Sequence, residues 1–191
     1  MQLTGKTLEH RVVRLEPMGE AHQADLRAAC DADPATWYEL YPYSMQGEHF
    51  DAVWARLMTD MAAGRTIAFA VVVDGRCQGM TTYSGIDGPN HALEIGGTYY
   101  APSLRGGAVN PACKRLLLGH AFACGADRVQ FRVDAINGRS RSAVLKLGAM
   151  QEGIFRHDRI TWTGRVRDTV FFSILADEWP AVRDRLDARL A

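Results

Sequence analysis

No stretch of this chain approaches the ~18–20 consecutive apolar residues needed to cross a bilayer. The opening residues, Met1-Gln2-Leu3-Thr4-Gly5-Lys6, lack the apolar core of a signal peptide. A cytoplasmic protein that does not enter a membrane is the simplest expectation. There is also no charge excess: Lys+Arg and Asp+Glu both number 22 and cancel. That argues against a broad basic face for nucleic acid and leaves room for a local basic pocket. The sequence holds no Gly-x-x-x-x-Gly-Lys-Ser/Thr, so a P-loop is unsupported. It holds no Gly-x-Gly-x-x-Gly with an acidic residue about 20 positions on, so a dinucleotide-binding fold is unsupported too. Its four cysteines, Cys30, Cys77, Cys113 and Cys124, form no Cys-x-x-Cys pair and have no histidine at zinc-finger spacing. They read as reduced, mostly buried small hydrophobes, and no metal site is expected.

With 191 residues, 47% of them hydrophobic, the chain is long enough to bury a good core in one domain, expected to span 1–191. Internal repeats and low-complexity tracts are absent. Val12, Val13 and Leu15 mark a first strand that ends at Pro17, and Ala21 to Cys30 a helix closed by Asp33-Pro34. Residues 35 to 45 read as irregular and aromatic. Phe50, Val53, Trp54, Leu57, Met58 and Met61 fall at helical spacing, with Gly64 as the C-cap. Ile67 to Val73 is a nearly unbroken apolar strand, and Asp74-Gly75 turns it into Cys77 to Tyr83. Ala92 to Tyr100 and Arg128 to Val133 are further strands, and Arg139 to Leu147 is a helix ending at Gly148. Gly153 to Thr161 and Val166 to Leu175 form a hairpin turning near Thr163-Gly164. Asp177 caps a last helix whose Trp179, Val182, Leu186 and Leu190 share one face. Strands and helices mixed around one sheet give the α+β class.

The most informative segment runs from Tyr99 through Arg105, Gly106, Gly107, Ala108, Val109, Asn110 and Pro111 into the apolar run Ala112 to Phe122. It reads as strand, small-residue loop, helix, with Asn110 as N-cap and Pro111 at the first helical position. Small residues let backbone N–H groups approach a ligand. The unpaired donors and positive dipole end of the helix then suit a phosphate or pyrophosphate, and Arg105 adds charge. The plainer alternative is an ordinary strand-to-helix connection.

Three segments together resemble the GNAT superfamily of acyl-CoA-dependent N-acyltransferases, over nearly the whole chain. Glu94-Ile-Gly-Gly-Thr-Tyr-Tyr resembles the family's central strand, and the second segment is the Arg105–Asn110 loop with its helix. Asn137-Gly-Arg-Ser140 followed by Lys146-Leu147-Gly148-Ala149 is similar to the family's Asn-x-x-Ser/Ala…Lys-Leu-Gly-Ala/Phe signature, the most specific of the three. Among branches the chain most resembles the RimJ/RimL-like group. There are departures: Ala108 stands where the family loop has Gly, and Asn110 where it has Gly or Ala. Val144 occupies the position, seven after Asn137, where many relatives carry a tyrosine acid. A tyrosine acid from that helix is therefore excluded.

The resemblance implies a GNAT-like fold, a mixed and mostly antiparallel central sheet flanked by helices. It implies acetyl-CoA as co-substrate, and direct attack of an amine on the thioester. A lysine amine costs roughly 4–5 kcal/mol to deprotonate at pH 7, an α-amine only about 1. Glu94 is the candidate base, directly or through a water, and a salt-bridged strand carboxylate is its alternative. Ser140 is the candidate donor to the departing thiolate and a further cofactor contact; its alternative is a first-turn serine. Asn137 is a candidate cofactor contact or an Asx-turn residue. The backbone of Thr98, Tyr99 and Tyr100 would pair with the pantetheine arm as an added pseudo-strand. Residues Arg105 to Asn110, including Val109, would hold the phosphates, with Arg139 or Arg141 in reach. Trp37, Tyr38 and Tyr41 are candidates for the acceptor pocket, or for core packing between helices. His120 reads as a satisfied core histidine, and Arg165, Arg167 and Asp168 as hairpin charges. The acceptor is an amine on a small molecule or a protein N-terminus, with no nucleic-acid partner. The edge of the final hairpin is a candidate homodimer surface. A catalytically lapsed acyl-CoA-binding module is the alternative function.

Overall fold

A computed structural model describes residues 1–191. The strands are β1 (Leu8–His10), β2 (Val13–Pro17), β3 (Ile67–Val73), β4 (Arg76–Asp87), β5 (Ala92–Tyr100), β6 (Arg128–Asp134), β7 (Met150–Ile160) and β8 (Val166–Leu175). The helices are α1 (Gln23–Asp31), α2 (Pro34–Leu40), α3 (Phe50–Ala62), α4 (Val109–Ala123), α5 (Gly138–Leu147) and α6 (Trp179–Leu190). The strands form one eight-stranded sheet in the order β1-β2-β3-β4-β5-β6-β8-β7. Every neighbouring pair is antiparallel except β5 and β6. This is the expected α+β class with a mixed, mostly antiparallel sheet. No helix is long and apolar enough to cross a membrane.

Local chemistry explains most elements. The apolar run of β3 lies between β2 and β4 and is buried along its middle. Its turn uses Asp74 at φ 51° and Gly75 at φ 75°, two successive left-handed residues that match the twist of a two-residue hairpin. Alternation sorts side chains to two faces. Leu93, Ile95, Val129, Phe131 and Val133 join a core with α4, α5 and α6. Ala68, Ala70, Met80 and Tyr99 join a second core with Trp37, Phe50 and Trp54 of α2 and α3.

The parallel pair positions the site. β5 and β6 match only at Ala92↔Arg128, Leu93↔Val129 and Glu94↔Gln130. Beyond Glu94 pairing stops, and an opening forms in mid-sheet. β5 also slips register against β4 between Gly96 and Tyr99, where Gly97 takes φ 54°.

Several boundaries differ from the sequence reading. The aromatic stretch of residues 35 to 45 is irregular only from Tyr41 on: Pro34 opens α2, because a first-turn proline lacks only an N–H that would be unpaired anyway. Helix α4 starts at Val109 with Ala108 at the N-cap position, so Asn110 lies within the first turn and does not cap. Pro111 is tolerated there for the same reason as Pro34. Glu178, not Asp177, stands at the N-cap position of α6 and accepts the Leu175 N–H. Strand β1 is too short to give a pattern in the sequence. The four cysteines are free thiols, and Cys124 is only half-buried. His120 is a core histidine within reach of Tyr83 Oη and Cys124 Sγ, and burial lowers its pKa.

Candidate active site

The opening between β5 and β6 is a cleft of about 580 Å³. At one end is the loop before α4. A Cβ built on Gly106 or Gly107 meets nothing within 4 Å. Gly106 takes φ 81°, so the loop leaves room for a ligand beside the unpaired N–H groups of the first turn of α4. Ala108 is exposed, whereas the Val109 side chain is buried in the main core, so both offer only backbone.

The Arg105 side chain is not a free charge. Its Nε donates to Tyr100 O at 2.8 Å, Nη1 to Thr36 Oγ1 at 3.3 Å, and Nη2 pairs with Asp33. Asp33 neutralises it and the fork is spent on pinning the loop. The cations that line the cleft without a carboxylate partner are Lys114, Arg139, Lys146 and Arg189. Arg141 is also committed, donating to Ala135 O.

Along β5, the backbone from Ile95 onward has no β6 partner. Thr98 faces the cleft; its carbonyl accepts Tyr41 Oη, and its hydroxyl meets Thr81 Oγ1 at 2.8 Å and Lys114 Nζ at 3.2 Å. Tyr100 donates to Asn110 Oδ1 at 3.1 Å, closing the loop onto the strand. The Tyr99 ring points away into the second core and donates to Ala29 O at 2.7 Å, so only its backbone is in range.

Glu94 is the carboxylate at the point where the sheet divides. It lines the cleft, is half-buried, and its carboxylate accepts no hydrogen bond from the protein. Burial pushes its pKa up, opposed by the nearby positive charges of Arg132, Arg159 and Arg167. Gly96 leaves room for this carboxylate: a Cβ there would lie 2.5 Å from Glu94 Oε1 and displace it.

On the opposite wall Asn137 caps α5, its Oδ1 accepting the Ser140 N–H at 3.0 Å. The Asx-type reading of Asn137 is thus realised, and the residue also lines the cleft. Ser140 lines the cleft with its hydroxyl unpartnered. Val144 is buried and supplies no acid.

The three acceptor-pocket candidates separate. Only Tyr41 lines the cleft. Trp37 is 1% exposed, stacked on Tyr99 and hydrogen-bonded to Cys30 O, so it packs the core and supports Tyr41 from behind. Tyr38 is 64% exposed and meets Trp162 edge-on. That contact belongs to a bridge: at the β7–β8 turn, Trp162 donates from its backbone N to Pro42 O and from Nε1 to Trp37 O. The hairpin tip is thereby tied to α2 and its following loop.

Seven charged residues at the cleft were missed, Lys146 and Arg189 among them. Lys114 is buried without a carboxylate partner, and burial pushes its ammonium down to about 8. Arg132, Asp134, Arg159 and Arg167 come from three strands. Arg167, read from sequence as a hairpin charge, is 6% exposed and part of the wall. Arg165 ties to Asp134 at 2.6 Å. The alternation Arg128, Gln130, Arg132, Asp134 along β6 was the one sequence signal for a polar face there.

A model of the family described as "Acetyltransferase (GNAT) domain" matches residues 13–150. The chain belongs to the GNAT acetyltransferases. It is 28% identical over 182 residues to the "Putative ribosomal N-acetyltransferase YdaF" of Bacillus subtilis (strain 168), covering 92% of this chain and 97% of that one. A GCN5-related N-acetyltransferase from Brucella melitensis superposes with a TM-score of 0.88 at 29% identity, covering 98% of this chain and 86% of that one. Mycobacterium smegmatis RimJ, solved with CoA-disulfide, shares the fold at a TM-score of 0.83 and 24% identity, covering 96% of this chain and 94% of that one. This GNAT chain is thus RimJ-like in architecture.

Proposed function

We propose that this protein, acting as a single acyltransferase domain, moves an acetyl group from acetyl-CoA to a primary amine by direct attack. The observation that carries the reading is Glu94: a half-buried, unpartnered carboxylate where β5 leaves β6, on a cleft that also holds the α4 loop and Ser140. The cleft suits the donor. The Gly106–Gly107 loop leaves space and N–H groups for the pyrophosphate, and Arg139, Lys146 and Arg189 supply charge at its rim. The backbone from Ile95 to Tyr100, which β6 leaves unpaired, offers pantetheine amide hydrogen bonds beside the Thr98 and Tyr100 carbonyls already taken by Tyr41 and Arg105. Bound there, acetyl-CoA supplies an electrophilic thioester carbonyl.

The chain's own residues do the rest. Glu94 accepts the proton from the attacking nitrogen, directly or through a water. Burial raises its pKa, which makes it a better base than an ordinary carboxylate. Ser140 Oγ donates a hydrogen bond to the departing thiolate, the task Val144 cannot perform. The acceptor enters beside Tyr41, under the bridge made by Trp162. A protein α-amine and a small-molecule amine both fit the chemistry, since an α-amine loses its proton at a cost of only about 1 kcal/mol at pH 7. The name of YdaF favours ribosomal-protein N-termini among protein acceptors.

The test is thiol release from acetyl-CoA across a panel of amines, with Glu94→Gln beside the wild type. Amine-dependent release that falls in the variant, with acetyl-CoA affinity retained, is the expected result. A lapsed binding module would hold CoA and release no thiol with any amine.

A further inference from the structure

The wall facing Glu94 carries more positive charge than the protein neutralises. Arg132 and Arg159 share Asp158, at 3.1 and 3.2 Å. Arg165 and Arg167 share Asp134, at 2.6 and 3.7 Å. Four guanidinium groups thus divide two aspartates. Arg167 is the least satisfied: it is 6% exposed, lines the cleft, and makes a single hydrogen bond, from Nε to Thr169 Oγ1 at 3.1 Å. Its two terminal nitrogens have no protein acceptor. Arg132 Nε is a buried donor without a partner. Holding such charge out of water is costly unless something pairs with it. Glu94 is near enough to feel these cations but makes no hydrogen bond to any of them.

The wall is set apart from the donor's phosphates. On β5 and β6, Leu93, Ile95, Phe131 and Val133 point to the core under α4 and α5. Strand alternation puts Glu94, Arg132 and Asp134 on the other face. A planar guanidinium fork in a partly dry cleft matches a carboxylate bidentately.

We propose that this wall is a carboxylate-recognition subsite: the acceptor amine carries a carboxylate, which Arg167 holds between Arg132 and Arg159 while the amino group faces Glu94. This rests on the acetyl-transfer reading above and narrows its acceptor class. Two sources share the chemistry, the α-carboxylate of a free amino acid and an acidic side chain next to a peptide's N-terminus.

The experiment compares matched acceptors in the thiol-release assay. One arm sets free amino acids against their carboxamides. The other sets C-terminally amidated peptides with Asp in second position against the same peptides with Asn. A third measurement needs no turnover: N-acetyl products of each pair are titrated onto protein saturated with CoA. The expected result is roughly tenfold or greater preference for the carboxylate member, carried by KM in turnover and by affinity in the titration. That ratio falls toward one in Arg167→Gln and is partly restored in Arg167→Lys. The arm that shows it identifies the source. Ratios near one in every arm, or a preference unmoved by Arg167→Gln, overturn the proposal. Equal turnover of acids and amides would leave acetyl transfer standing and remove only the subsite. Absence of thiol release with every amine would remove acetyl transfer, and the product titration then decides the subsite alone. If Arg167→Gln fails to fold, Arg159→Gln, on the more exposed neighbour, reads the same ratio.

Discussion

Asn137 Oδ1 accepts the backbone N–H of Ser140 at 3.0 Å, closing the first turn of α5 on the wall of the cleft. One residue thus sets the start of the helix and the position of the serine proposed to meet the thiolate. Removing the cap in Asn137→Ala is expected to cost about 1 kcal/mol, a fall in Tm of about 2–4 °C for a chain of this size. Thermal denaturation checks it. A larger relative loss in kcat than in stability would place Asn137 in the positioning of Ser140 as well.

Glu94 gives the pH prediction. A base must be ionised to act, so kcat rises with pH through the Glu94 pKa, which burial holds above its usual value of 4.5. The acid limb of the profile should therefore lie above that value and vanish in Glu94→Gln. The substitution should lower kcat about 10²–10⁴-fold, the usual worth of a general base. An unchanged acid limb in the variant would remove Glu94 from the chemistry.

Gly107 isolates the phosphate cradle. It has an ordinary φ and open space around it, so Gly107→Glu should fold normally. The new carboxylate crowds and repels a pyrophosphate, and acetyl-CoA affinity should fall by about tenfold or more, some 1.4 kcal/mol. Titration calorimetry reads it; retained affinity would move the phosphates elsewhere. Gly106 is the poorer probe, because its φ of 81° strains any side chain.

Lys114 predicts a stability effect. Burial lowers its folded pKa to about 8 from 10.5. Below pH 8 both states hold the proton and the folded state bears the full cost of burying it. Between pH 8 and 10.5 the unfolded chain binds more protons, so this cost is relieved as pH rises. Lys114→Met should therefore gain most stability over the wild type at pH 7, with the gap narrowing by pH 9.5. Denaturant titrations at the two pH values check this, and a gap that widens would contradict it.

What the sequence showed was local. The period of Phe50 to Met61, the left-handed pair Asp74-Gly75 and the stop at Gly148 need only neighbouring residues, and each appears as expected. Trp37 was ambiguous because an aromatic run looks alike in a pocket and in a core; only the packing of Tyr99 beneath it decides. Asn110 looked like a cap because its type suits one, yet the helix starts earlier and Tyr100 takes its side chain. Of the arginine wall, only the polar alternation along β6 was legible. Arg132 and Arg167 are neighbours only because β8 pairs with β6, a long-range contact with no local signature.

The central claim is that the divided sheet is an acetyl-CoA site. Calorimetric titration of the purified protein with acetyl-CoA, with ATP and NAD as controls, tests it most directly. The account predicts selective binding at micromolar strength, about −8 kcal/mol. No binding of acetyl-CoA, or equal binding of ATP, would contradict it and withdraw the roles given to Glu94, Ser140 and the Gly106–Gly107 loop.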